Sequence, residues 1–145
     1  MIHHDPNESI GLHCNLTNKM FVAAMERMLQ GTNVSPVQFK ALIQLMSHGP
    51  MSQKSLSDIL SITSATGVRL FDRMERDGWL TRQPDPEDGR VNILVPTQKA
   101  GIIWDELEHL GIELIQNSVV GIDPEELNTT KRVLAKVRKN LELIR

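Results

Sequence analysis

Apolar residues recur at helical spacing through most of this chain, and the spacing changes to a strand-like one only once. From about Ser9 to Gln30, Cys14, Phe21, Met25 and Met28 fall on one face with Leu16, Met20 and Ala23 beside them, and Gly31 follows as a stop. This predicts a first helix of about six turns. Ser35-Pro36-Val37-Gln38 then supplies an N-cap, a first-turn proline and a capping-box glutamine ahead of Phe39, Leu42, Ile43, Leu45 and Met46, and His48-Gly49-Pro50 ends that helix. Ser52 can cap a short helix holding Leu56, Ile59 and Leu60. Thr63 can cap another whose buried stripe is Leu70, Phe71 and Met74, closed by Gly78. Only Ser61 and Ile62 separate these two helices.

Residues 79–82 and 91–95 are strand-like, and the turn formers at 84–89 between them predict a hairpin with an exposed polar tip. After Pro96, Thr97 opens a long helix with Ile103, Leu107, Leu110 and Leu114 in register. Asp123-Pro124-Glu125-Glu126 is a further cap, followed by Leu127, Thr130, Leu134, Val137, Leu141 and Ile144 in a 3,4 alternation. The seams of these last two helices call for partners. The expected fold is mainly α with a small β-hairpin: a winged helix-turn-helix plus a helical dimerisation region. Its divisions are an N-terminal dimerisation helix at 1–34, a winged module at 35–96 and dimerisation helices at 97–145.

Composition narrows the function classes. The chain has 145 residues, 40% hydrophobic and 23% charged, which fits an ordinary globular protein of one domain plus an oligomerisation element. No apolar run approaches the roughly 18 residues of a spanning helix. The start of the chain has polar residues where a signal peptide has a basic patch and an apolar stretch, and the single Cys14 cannot form an internal disulfide. A cytoplasmic location is the expectation. Net charge is −2, so nucleic-acid binding has to rest on a local arrangement. Charge is uneven: residues 96–130 hold seven acids against Lys99, and residues 131–145 hold six bases against Glu142. That contrast suggests complementary pairing across a dimer.

In a winged helix-turn-helix, the second helix of the tight pair enters the DNA major groove and the hairpin tip reaches the backbone or minor groove. The reader is then the helix beginning after Thr63. Its buried stripe leaves Thr66, Arg69, Asp72, Arg73 and Arg76 outward or on the flanks. Ser64, Ala65 and Thr66 lie at its N-terminus, where short side chains admit phosphate to free N–H groups. Arg69 is the best base-reading candidate, because a guanidinium can bond guanine O6 and N7 together. The competing reading of Arg69, Arg73, Arg76 and Arg82 is a solvated face with ion pairs to Asp72 and Glu75.

The stretch Asp72-Arg73-Met74-Glu75-Arg76-Asp77-Gly78-Trp79-Leu80-Thr81-Arg82, then Pro84-Asp85-Pro86-Glu87-Asp88-Gly89-Arg90, then Thr97, resembles the recognition helix, wing and following helix start of MarR-type transcriptional regulators. The entry Gly121-Ile122-Asp123-Pro124-Glu125-Glu126-Leu127 is similar to that of the SlyA-like branch. The resemblance implies a homodimer on a pseudo-palindromic operator in double-stranded DNA. It makes Thr66 and Arg69 recognition contacts, Arg90 the wing arginine that enters the minor groove and Asp88 the acid that orients basic side chains. It also implies a repressor, released by a small aromatic or phenolic effector. Fold analogy places that effector near His13, Thr17, Phe39 and Ile43. Gly67 departs from the pattern, standing where an apolar side chain is usual, so this helix should be softer or more closely packed. Gly89 and Pro96 also depart, replacing an arginine and a leucine.

Cys14 has no tyrosine to acidify it and reads as a buried small hydrophobe. The histidines show no metal-ligand spacing, no cofactor motif is present and no catalytic constellation suggests an enzyme. The alternative function is a winged-helix protein-interaction module without DNA binding, which the net negative charge and the acidic wing favour.

Overall fold

The structure is a computed structural model describing residues 5–144. A 3-10 turn, Pro6–Glu8, precedes α1 (Ile10–Met28) and α2 (Pro36–His48). Strand β1 (Met51–Ser52) leads into α3 (Gln53–Ile59) and α4 (Ser64–Arg76). Strands β2 (Leu80–Pro84) and β3 (Asn92–Pro96) form the wing, and α5 (Gln98–Ser118) and α6 (Pro124–Glu142) complete the chain. Two compact units result, one ending at Gly111 and one starting at Ile112, with α5 running through the boundary. No helix among the described residues is long and apolar enough to cross a membrane.

The predicted caps form. Ser35 Oγ accepts from the Gln38 amide at 3.3 Å and Gln38 Oε1 accepts from the Ser35 amide at 3.0 Å, while the Gln38 amide group also donates to the Asp77 carboxylate at 3.2 Å. A buried glutamine thus caps α2 and ties it to the end of α4 with its donors and acceptors satisfied. Ser52 caps α3 and Thr63 caps α4 through the amides of Ser55 and Thr66. Asp123 and Glu126 close a capping box on α6.

Both wing strands start one residue later than the sequence predicts, and β2 runs two residues further, through Pro84, which the sequence places in the turn. The strands pair in register from Leu80 opposite Pro96 to Pro84 opposite Asn92, and Trp79 lies before β2 as a core residue, 3% exposed. The sheet is not a simple hairpin. β1 adds a third strand in the order β1-β3-β2, pairing Met51 with Leu94 and Ser52 with Ile93. Two residues carry no periodic signal, so this strand was invisible before the pairing was seen.

The first unit holds the core. Phe71, Leu42, Leu45, Leu56, Met74, Leu80, Leu94 and Leu107 are fully buried, with Phe39, Leu70 and Trp79 around them. The expected stripe of α4 is therefore the buried one. On α1 only the C-terminal part reaches the core, where Met25 and Met28 pack against it. Phe21, Leu16 and Met20 are exposed, and Cys14 is exposed rather than buried as its type suggested, because no described residue of the first unit covers this stretch of the helix. Ile59, expected on the apolar side of α3, is 50% exposed.

Gly67 explains how α3 and α4 sit together. A Cβ built there would lie 2.2 Å from Ser57 Oγ and 3.3 Å from the Phe71 ring, so the two helices cross closer than any side chain at this position allows. The anticipated close packing is what the glycine provides. Ser57 Oγ cannot move away freely, since it is buried and donates to the Gln53 carbonyl at 2.9 Å. The turn between these helices places Ser61 at φ 55°, which lets the Ile62 amide reach back to the Ser57 carbonyl at 3.1 Å.

The second unit consists of the end of α5 and α6. None of its described residues is buried, and Ile112, Ile115, Val120, Val133 and Leu141 are exposed. Ile144, the last member of the predicted alternation, lies beyond the end of α6. Two helices cannot form a core from one seam alone, so these apolar faces are surface awaiting cover.

Gly67→Ala is expected to lower stability by about 1–2 kcal/mol despite alanine's better helix propensity. In a Ser57→Ala background the same change should cost less, because the contacts that remain are the Phe71 ring at 3.3 Å and the residue-57 Cβ at 3.4 Å. Denaturant midpoints of the four chains complete the cycle and check the claim.

Candidate nucleic-acid interface

Helix α4 separates cleanly into two faces. Gly67, Leu70, Phe71 and Met74 are buried, whereas Ser64, Ala65, Thr66, Val68, Arg69, Asp72, Arg73 and Arg76 are exposed. At its N-terminus the Thr66 amide is taken by Thr63 Oγ1 at 3.2 Å and the Gly67 amide by the Thr63 carbonyl at 2.9 Å. The amides of Ser64 and Ala65 stay outside the helix's own ladder, where an anion can meet them. Val68, 41% exposed, is an outward residue that the sequence reading passed over. Projecting the buried set at 100° per residue would have found it.

The arginines divide differently from the solvated-face reading. Asp72 and Glu75 do not pair along the helix; both turn to Arg82 on β2. Arg82 Nη2 lies 2.7 Å from Asp72 Oδ1, Nη1 lies 3.0 Å from Glu75 Oε1, and Nε donates to Gln53 Oε1 at 2.8 Å. Its backbone N–H donates to Glu75 Oε2 at 3.0 Å. With its side chain 16% exposed, Arg82 is a pin joining α3, α4 and the wing, and it is not available to a ligand. Among the described residues Arg69 and Arg73 make no ion pair, and Arg76 makes a long one to Asp77 at 3.6 Å. Withdrawing both acids into the Arg82 network leaves the outward face of α4 with unneutralised guanidinium groups.

The wing tip is internally ordered. The Asp85 amide donates to the Val91 carbonyl and the Val91 amide to the Asp88 carbonyl, each at 2.9 Å. Asp88 has the internal partner expected of it: Arg90 Nε at 3.0 Å and Nη2 at 3.2 Å hold its two oxygens, and the Arg90 amide adds a third bond at 3.1 Å. The Arg90 side-chain and backbone donors lower the Asp88 carboxyl from its ordinary value, and the carboxylate raises Arg90 in return. Arg90 remains 91% exposed with its Nη1 edge outside this fork.

The four residues carried over by fold analogy for an effector differ in their exposure. His13 and Thr17 are exposed on α1, Ile43 is half-buried, and Phe39 is a core residue whose ring packs against Gly111. Among the described residues no cluster of His, Cys, Asp or Glu is arranged to hold a metal ion.

Comparison with known proteins follows the same lines. Residues 34–91 match the profile described as MarR family. The HTH-type transcriptional repressor IacR of Pseudomonas putida is 28% identical over 120 residues, covering 83% of this chain and 72% of that protein. The multiple antibiotic resistance protein MarR of Escherichia coli is 24% identical over 129 residues, covering 88% and 90%. A mutant of that MarR solved in complex with operator DNA superposes with a TM-score of 0.82 at 25% identity, over 92% of this chain and 99% of the other. BpsR of Bordetella bronchiseptica, whose structure concerns regulation of its DNA binding by 6-hydroxynicotinic acid, superposes with a TM-score of 0.83 at 20% identity, over 93% and 96%.

Arg82→Ala is expected to destabilise the chain by about 2 kcal/mol, because it leaves Asp72 and Glu75 side by side without a cation. Arg82→Lys should recover only part of this, since one ammonium cannot fork to both acids; thermal unfolding measures both. In the wing, Arg90→Ala should raise the Asp88 pKa only part of the way to the usual carboxylate range in an NMR titration, because the backbone N–H of residue 90 still donates to it. Because the folded-state value is the lowered one, the pairing is fully formed above the unfolded carboxylate value and is lost as pH falls through the folded one.

Proposed function

With a MarR family transcriptional regulator supported by the family match and the relatives together, we propose that this chain acts as a homodimeric repressor reading a pseudo-palindromic operator in double-stranded DNA. Members of that family are transcription regulators and not enzymes. The observation that carries the reading is the outward face of α4, where Arg69 presents a guanidinium free of acids on a helix fixed by the Arg82 pin. Ser64, Ala65 and Thr66 bring the helix N-terminus to phosphate, and Arg73 and Arg76 add phosphate contacts. Arg90 enters the minor groove from the wing while Asp88 orients it.

Dimerisation is supported by the uncovered apolar residues of α1 and α6, with residues 1–34 and 97–145 as the dimerisation segments and 35–96 as the reader. Repression is supported by the likeness to IacR. The capping-box entry to α6 at Gly121 to Leu127 supports kinship with the SlyA-like branch. A cytoplasmic regulator released by a small aromatic or phenolic ligand completes the reading.

Footprinting on the region upstream of its own gene tests it. Two chains should protect half-sites about 10 bp apart, with affinity falling steeply as salt rises. Arg69→Ala should cost about 1–3 kcal/mol and relax discrimination at one base position per half-site. A loss uniform across sequences would reduce Arg69 to a phosphate contact. No protection even at low salt would turn the reading toward a protein-interaction module.

A further inference from the structure

The exposed residues of α4 are polar or charged except in one row. Ala65 and Val68, three positions apart and therefore neighbours on the helix surface, are both exposed, Val68 by 41%. A valine is a poor choice for a solvated helix position: its propensity is below that of the straight-chain residues, and it has no group to bond water or phosphate. Two constraints make this side chain rigid. Branching at Cβ leaves one dominant χ1 rotamer in a helix. The backbone beneath it is tied to the wing, because Arg82 Nη2 donates to the Val68 carbonyl at 3.5 Å from the same guanidinium that holds Asp72 and Glu75. Val68 thus stands in the second turn of α4, beside Arg69, as a fixed apolar projection.

We infer that Val68 reads a thymine through its C5-methyl group, with Ala65 completing the contact from the preceding turn. The inference rests on the proposed DNA-binding function and adds to it a base preference that no hydrogen bond supplies. Among the bases in the major groove, thymine alone carries a methyl group there. A fixed apolar side chain against that methyl takes both out of water, a gain on the scale of one buried methylene. Cytosine at the same place would turn an amino donor toward a side chain that cannot accept from it. Because residues 68 and 69 adjoin, this thymine lies close to the guanine that Arg69 pairs with.

The full chain and the duplex operator located by footprinting test the assignment. Each thymine of the half-sites is replaced in turn by uracil, which keeps every hydrogen-bonding group of the base and lacks only the methyl. At the thymine read by Val68 the replacement should weaken binding about four-fold per half-site. Val68→Ala, at an exposed position where alanine favours the helix, should bind the thymine and uracil forms alike. At that position 5-methylcytosine should recover about the same factor over cytosine in the wild type and nothing in Val68→Ala. A wild type indifferent to uracil at every position would overturn the assignment and leave the DNA-binding reading standing. So would a Val68→Ala chain that keeps the whole of the wild-type discrimination, or a 5-methylcytosine duplex bound no better than its cytosine counterpart. Failure of the chain to bind any duplex, even at low salt, would overturn both together.

Discussion

The pose of α4 depends on one half-buried guanidinium. Arg82 reaches from the wing to Asp72 and Glu75 on α4 and to Gln53 on α3, so these three elements are joined through one planar group. A planar fork suits this better than an ammonium, because its donors are fixed in direction and each meets a different acceptor. The same arrangement sets the electrostatics of the outer surface. By binding both acids on the wing side, it leaves Arg69 and Arg73 in a field that no neighbouring carboxylate cancels. A global charge of −2 is therefore compatible with a locally basic outer face on α4.

Much of this architecture could be read from residue order. The caps at Ser35, Ser52, Thr63 and Asp123 and the stripe of Leu70, Phe71 and Met74 follow from short-range rules, and the folded chain obeys them. What escaped was decided at long range. The pairing of Met51 and Ser52 with β3 joins residues about 40 apart in sequence and has no local signature. Arg82 lies seven residues from Glu75 and 29 from Gln53, so nothing in the local pattern separates it from the arginines that face solvent. Cys14 was placed by residue type, and type misleads on a stretch of helix that no described residue of the first unit covers.

The candidate site shows the same division. The exposure of Thr66, Arg69 and Arg90 follows from helical projection and loop position. The withdrawal of Asp72 and Glu75 into the Arg82 network was not legible, because that network is assembled from α3, α4 and β2. The second unit displays apolar side chains without burying any described residue, and its charge reverses from the acidic residues up to Glu126 to the basic run that follows. A seam with that polarity specifies the orientation of whatever covers it, since like charges brought together would cost more than the apolar contact returns.

The tight crossing at Gly67 and Ser57 limits how this scaffold could be re-engineered. A reading helix transplanted from another protein would bring its own residue to position 67, and most carry a Cβ that cannot fit over Ser57. Position 57 lies outside the transplanted segment, on the supporting helix. The exchangeable cassette is therefore the helix pair with its turn, and a graft confined to the outer helix would alter the tilt of the surface it was meant to supply.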